Sequence, residues 1–211
     1  MAGNIQKVNL KEYSQKLSEY TQLSTKVYNE LNDIRLELNK IPNYWTGKLV
    51  NSALESFNSN VEKLNIAKDY FKVTISEILF DVYNQYLYME MGKPTDFRSN
   101  ASSFKFVKIA LTDESTIKFD ANKVKNIVSN IQSKNTELKA DLKKLVSFLN
   151  NMGQYSDSLT QLRNSYNAKA TELTNSINSI YDTVHSAFNT RMEMVNTTEA
   201  GYNEADVKRA K

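Results

Sequence analysis

The sequence predicts an all-α protein, an elongated antiparallel four-helix bundle built from two helix-turn-helix hairpins, with a short β-hairpin as an option in the central connection. Three observations predict it. Apolar residues recur at alternating spacings of three and four along four long tracts, the signature of helices that each bury one narrow stripe. Only 5 Gly and 2 Pro occur in 211 residues, too few turn formers for a many-stranded sandwich or barrel. The helix-turn-helix unit of about one hundred residues also occurs twice, an internal repeat.

The first tract runs Leu10, Tyr13, Leu17, Tyr20, Val27, Leu31, Ile34, Leu38 and Ile41, with Ser24 its one polar occupant. Such an a/d seam, held over more than four heptads, specifies one long helix of coiled-coil type, and Pro42 and Asn43 are expected to stop it. After Gly47 the spacing resumes as Val50, Leu54, Phe57, Val61, Leu64, Phe71, Ile75, Ile78, Val82 and Met89, interrupted at Lys68 and Gln85. Two long helices joined by a short connection pack antiparallel, so residues 1–92 read as the first hairpin.

Gly92 and Pro94 close that unit, and residues 93–119 form a connecting segment of different period. Within it Phe104, Phe106, Ile109 and Leu111, then the polar Thr112-Asp113-Glu114-Ser115, then Ile117 and Phe119 fit a two-stranded hairpin, which is marginal alone and has to lie on the bundle. Asp120 is a helix N-cap for the second hairpin, residues 120–200. Its third tract is Val124, Val128, Ile131, Asn135, Leu138, Leu142, Leu145 and Leu149. Met152-Gly153-Gln154 turns the chain into a fourth, with Leu159, Leu162, Tyr166, Ala170, Leu173, Ile177, Ile180, Val184 and Phe188, and residues 201–211 are set apart as a C-terminal tail. One hairpin alone leaves half of its apolar surface wet, so the two are expected to cover each other as an intramolecular pseudo-dimer, monomeric as a chain.

Chemistry is scarce in this sequence. The absence of Cys removes disulfides, thiolate metal sites and a thiol nucleophile. The single His185 has neither a second His nor a carboxylate pair at ligand spacing and reads as a surface or half-buried residue. No phosphate-binding glycine loop, zinc-protease helix motif or serine-elbow motif occurs, so no catalytic, cofactor or metal residue is assigned and no enzyme activity is expected. The 27 Lys and Arg are interspersed with 24 Asp and Glu, which gives no single-sign field for nucleic acid. No stretch is apolar enough for a transmembrane segment, and the first residues lack the apolar core of a cleavable signal peptide. Tyr83, Tyr86 and Tyr88, around the end of the second tract, are a candidate partner surface, since exposed aromatics are favoured interface anchors.

The sharpest local signal is Trp45-Thr46-Gly47, which sets the one Trp in the first turn. A conformational reading suffices for it: Gly47 supplies a backbone geometry that the turn needs while Trp45 caps the core. A long helical hairpin with Trp-x-Gly in its turn also resembles the WXG family, the helical hairpin proteins of type VII (ESX) secretion systems. Those proteins and their partners commonly carry Tyr-x-x-x-Asp/Glu after the last helix, and Tyr202-Asn203-Glu204-Ala205-Asp206 matches that pattern, followed by the basic Val207-Lys208-Arg209-Ala210-Lys211. Tyr86 and Glu90 form a second match, so the terminal location of the first carries the weight.

The start of the third helix, Thr116 to Asp120, is similar to the beginning of such a chain, so the resemblance extends over nearly the whole sequence as a tandem fusion of two partners. It departs from the family pattern in having no Trp in the second turn. The resemblance implies a non-enzymatic substrate of a type VII secretion system, released extracellularly without a cleavable signal peptide. Its composite export signal would be Trp45, Gly47, Tyr202 and Asp206, read by the secretion ATPase machinery. A helical targeting partner or chaperone for a larger type VII toxin is the alternative, whereas a lipid-entering toxin lacks a sufficiently long apolar hairpin. Lys- and Asn-rich composition fits a Gram-positive source, and a role in virulence would follow from export.

Overall fold

In a computed structural model the backbone is described for residues 9–92, 104–116 and 118–209, and side chains as far as residue 199. Four long rods lie antiparallel: α1 (Leu10–Tyr44), a second rod of α2 (Lys48–Asp69) and α3 (Ile75–Met91), α4 (Ala121–Met152) and α6 (Arg163–Arg209), with the short α5 (Asp157–Gln161) before α6. α1 lies closest to α4 and α2 closest to α6, so the tightest helix pairs join one hairpin to the other; α4 also packs on α6, and α1 on α3. At about 1.5 Å per residue the bundle is on the order of 50 Å long.

The predicted seams of α1, α4 and α6 form the core. Tyr13, Val27, Leu31, Ile34, Leu38 and Ile41 are buried, and so is every seam position of α4 from Val124 to Leu149. Asn9 caps α1 by accepting from the Lys11 and Glu12 amides, and Asp120 caps α4 by accepting from Lys123 at 3.0 Å. Pro42 does not stop α1. It sits inside the last turn, and the helix closes two residues later with Trp45 N–H donating to the Ile41 carbonyl. Near a C-terminus a proline removes only one late donor, so the helix tolerates it.

The second rod departs from its predicted seam. Tyr70–Thr74 is a π-helical turn, which takes in one extra residue. Phe71, Ile75 and Val82 are buried as predicted, but Leu79 is buried in place of Ile78, which is half-buried, and Met89 is 71% exposed while Leu87 turns inward. The wide turn meets α1 through Tyr20, whose hydroxyl donates to the Phe71 carbonyl at 2.5 Å, and Tyr13 does the same to Leu79 at 3.0 Å. Burial raises the pKa of both phenols, so they stay protonated and able to donate.

The expected β-hairpin is absent: the described part of the connection holds no strand, and Phe119 makes a single isolated bridge, to Trp45. Residues 104–112 instead run extended along α2, antiparallel to it, from Asn65 to Asn51. Burial along this strap falls on Phe106 and Ile109 and, partly, on Phe104 and Thr112, so that from Phe106 onward the period is three rather than the two of a strand. Ile117 and residues 93–103 of the connection lie outside the described residues.

Candidate functional site

The Trp-Thr-Gly corner is where the two hairpins are pinned together at one end of the bundle. α1 ends at Tyr44, and the chain reverses over three residues into α2. Gly47 adopts φ 107°, ψ 179°, a conformation rarely open to residues with a Cβ, and its carbonyl accepts the Asn51 amide to start α2. Trp45 is only 1% exposed. Its indole meets Phe119 edge-on at 5.5 Å; Phe119 in turn touches Phe188 of α6 at 6.1 Å, and Arg191 lies over the Phe119 ring at 5.5 Å.

The polar atoms of the corner are satisfied by the chain that leads into α4. Thr46 N–H donates to Lys118 O at 2.9 Å, Lys118 N–H donates to Thr46 Oγ1 at 2.9 Å, and Asp120 N–H donates to Tyr44 O at 2.9 Å. Thr46 Oγ1 also donates to the Thr116 carbonyl, and Lys118 Nζ to the Asn43 carbonyl at 2.6 Å. Gly47 N–H donates to Thr112 Oγ1 at 3.0 Å. Trp45 and Gly47 are both built into the corner, Gly47 through its backbone conformation and the buried indole through shape rather than an exposed contact.

The second turn, a 3-10 turn over Gly153–Tyr155 followed by α5, lies at the opposite end, where Tyr155 meets Tyr13 near the start of α1. With the turns opposed, α6 runs toward the Trp45 corner, passes it at Phe188 and continues to Arg209. Tyr202 and Asp206 fall on these last turns, within the helix, 14 and 18 residues beyond Phe188 or about 21 and 27 Å along it. Four residues apart, they share one helix face, but their side chains lie outside the described residues.

The tyrosine cluster at the other end divides. Tyr83 and Tyr86 are half-buried against Tyr13, with ring centroids 6.0 and 6.3 Å away, and Tyr86 donates to the Tyr155 carbonyl at 2.5 Å. Tyr155 donates to Glu12 at 2.6 Å, and this bond raises its pKa. Tyr88 alone of the three candidates is exposed, at 61%, beside Met89 and Met91. His185 is half-buried, stacked on Tyr181 at 5.3 Å and hydrogen-bonded to Asn189. Among the described residues no group of three or more His, Cys, Asp or Glu is placed to hold a metal ion.

Two polar features escaped the sequence reading. Glu30 of α1 and Asp141 of α4 lie close together across the hairpin interface, with Glu137, Lys134 and Lys144 around them, and one Glu30 carboxyl oxygen is buried without a hydrogen-bond partner. Burial, then the neighbouring Asp141, push Glu30 up to about 7, whereas Lys144 at 2.6 Å holds Asp141 below the ordinary range. The second is a row of asparagines on α2. Asn51, Asn58 and Asn65 each accept one main-chain N–H of the strap and donate to the carbonyl of the same residue: Thr112 (2.8 and 2.9 Å), Ile109 (2.8 and 2.9 Å) and Phe106 (2.9 and 2.9 Å). Their exact seven-residue spacing was visible in the sequence as a signal, but it sat beside the apolar seam rather than in it.

The fold and corner thus define a single-chain antiparallel bundle pinned at a Trp-x-Gly turn. No protein-family model, curated protein or solved structure matches the chain.

Proposed function

We propose that this protein is a non-enzymatic substrate of a type VII secretion system, released extracellularly, whose export signal combines the Trp45-Gly47 corner with Tyr202 and Asp206. The observation that supports this most is the opposition of the two turns: it sends α6 past the Trp45 corner, so that both parts of the signal belong to one end of the rod. In this reading Trp45 and Gly47 act by fixing the corner from which α6 projects, and Tyr202 and Asp206, on one face of that projection, are the residues that the secretion ATPase machinery contacts.

The test is release from a cell with a working type VII system. Tyr202→Ala and Asp206→Ala fall on α6 well past Phe188, its last buried residue among those described, and each should leave helicity and melting temperature unchanged while reducing the protein in the medium at least tenfold. Undiminished release of both variants overturns the reading.

A targeting partner for a larger toxin is the second reading. The four seams are buried, which withdraws the long faces from docking, but Tyr88, Met89 and Met91 leave an apolar surface at the end of α3, away from the corner. Co-release of a toxin that depends on Tyr88 and Met89 rather than on Tyr202 would favour it.

A further inference from the structure

The strap over α2 is held in an unusual way. Its hydrogen bonds to Asn51, Asn58 and Asn65 all engage main-chain atoms of residues 106, 109 and 112, apart from the Thr112 hydroxyl, which also donates to Asn51. Seven residues of helix advance about 10.5 Å, and three residues of extended chain advance about 9 to 10 Å, so the two repeats stay in register over three steps. Each asparagine therefore presents what a strand edge presents, one acceptor and one donor to a single residue.

Side-chain contacts fall on the same positions and on Phe104. Phe106 and Ile109 are buried, and Phe106 packs on Phe57 with centroids 6.3 Å apart. Phe104 lies against Tyr28 at 4.6 Å and covers the 2% exposed Lys68, whose Nζ is 5.2 Å from the Phe104 centroid. Lys105, Val107, Lys108, Ala110 and Leu111 face solvent. Among the described residues the strap has no strand partner; the asparagine row, the Tyr28 hydroxyl that accepts the Phe104 N–H at 2.7 Å, the Gly47 N–H that donates to the Thr112 hydroxyl and these few sockets hold it, while α2 behind it is fixed by its packing on α6.

We propose that the asparagine face of α2 is a peptide-binding groove, specific for an extended segment with apolar side chains three residues apart followed by Thr, and that residues 104–112 are its resident, exchangeable ligand. A partner protein offering such a segment docks by displacing the strap. The groove reads backbone through the three amides and spacing through the Phe106 and Ile109 sockets. This inference does not depend on the secretion reading, since the groove is formed whatever the route by which the chain travels.

A fluorescein-labelled peptide of residues 104–112, FKFVKIALT, tests it by fluorescence anisotropy against the full-length chain. Ile109→Ser loosens the resident strap without altering α2 and should bind the peptide at least tenfold more tightly than the wild-type chain does. Adding Asn58→Ala to that variant should abolish the gain, and the isomer FKFIVKALT, which puts Lys instead of an apolar residue three positions after the second Phe, should not bind. In the wild-type chain, millimolar peptide should speed hydrogen exchange of the Phe106, Ile109 and Thr112 amides, a readout that holds even where Ile109→Ser unfolds. Equal binding of the isomer, or strap amides whose exchange the peptide leaves unchanged, overturns the proposal.

Discussion

Glu30 gives the most quantitative check on how the two hairpins meet. Burial first, and then Asp141 across the α1–α4 interface, push its carboxyl up from the ordinary 4.5 to about 7. A carboxyl with a raised folded pKa binds its proton more tightly in the folded than in the unfolded state. Its contribution is thus fully present below pH 4.5 and is lost as pH rises through 7. The difference between 4.5 and about 7 corresponds to about 3.4 kcal/mol. Water reaches part of the carboxyl and Lys134 screens it, so about 1.5 kcal/mol is the expected loss between pH 5 and pH 8. Urea unfolding followed by circular dichroism measures it, with Glu30→Gln as the reference, because glutamine does not titrate. The wild-type chain should lose about 1.5 kcal/mol more than Glu30→Gln over that range, because every other contribution is common to the two proteins and cancels. Parallel pH profiles for the two proteins would refute the raised pKa of Glu30.

Other substitutions probe the corner, the strap and the wide turn. Trp45→Ala removes a fully buried indole and should cost about 3–5 kcal/mol in urea unfolding, more than any exposed aromatic such as Tyr88. Gly47→Ala meets no atom within 4 Å but forces a Cβ into φ 107°, so a loss of about 1–2 kcal/mol should come from backbone strain alone. Asn58→Ala strands the Ile109 main chain and should cost about 1–3 kcal/mol, with faster hydrogen exchange at the Ile109 amide. Tyr20→Phe leaves the Phe71 carbonyl of the π turn without its partner and should lower stability by about 1–3 kcal/mol.

The architecture was legible because long helices that bury one stripe must repeat it: α1, α4 and α6 bury the positions that their spacings name, and Asp120 caps where its side chain predicts. Legibility failed where the backbone left the ideal period. Nothing in Tyr70–Thr74 announces a π turn, whose Phe71 carbonyl is taken up by Tyr20 reaching across from α1. The strap was misread as strands because alternation of apolar residues was counted without a partner for their amides. Asn51, Asn58 and Asn65 supply those partners from a helix, and this shifts the buried period from two to three. Trp45 and Gly47 could be singled out by rarity and position, but that the indole would be covered by Phe119 depended on a contact 74 positions away in the chain.

The account rests most heavily on the two turns pointing to opposite ends, and a distance measurement tests that directly. The chain has no Cys, so spin labels can be placed at will: one at Thr46→Cys, paired in turn with Glu193→Cys and Ser158→Cys. Double electron–electron resonance should give a separation on the order of 20 Å for the first pair and about 50 Å for the second, the length of the bundle. A short 46–158 distance with a long 46–193 distance would put both turns at one end and contradict the account.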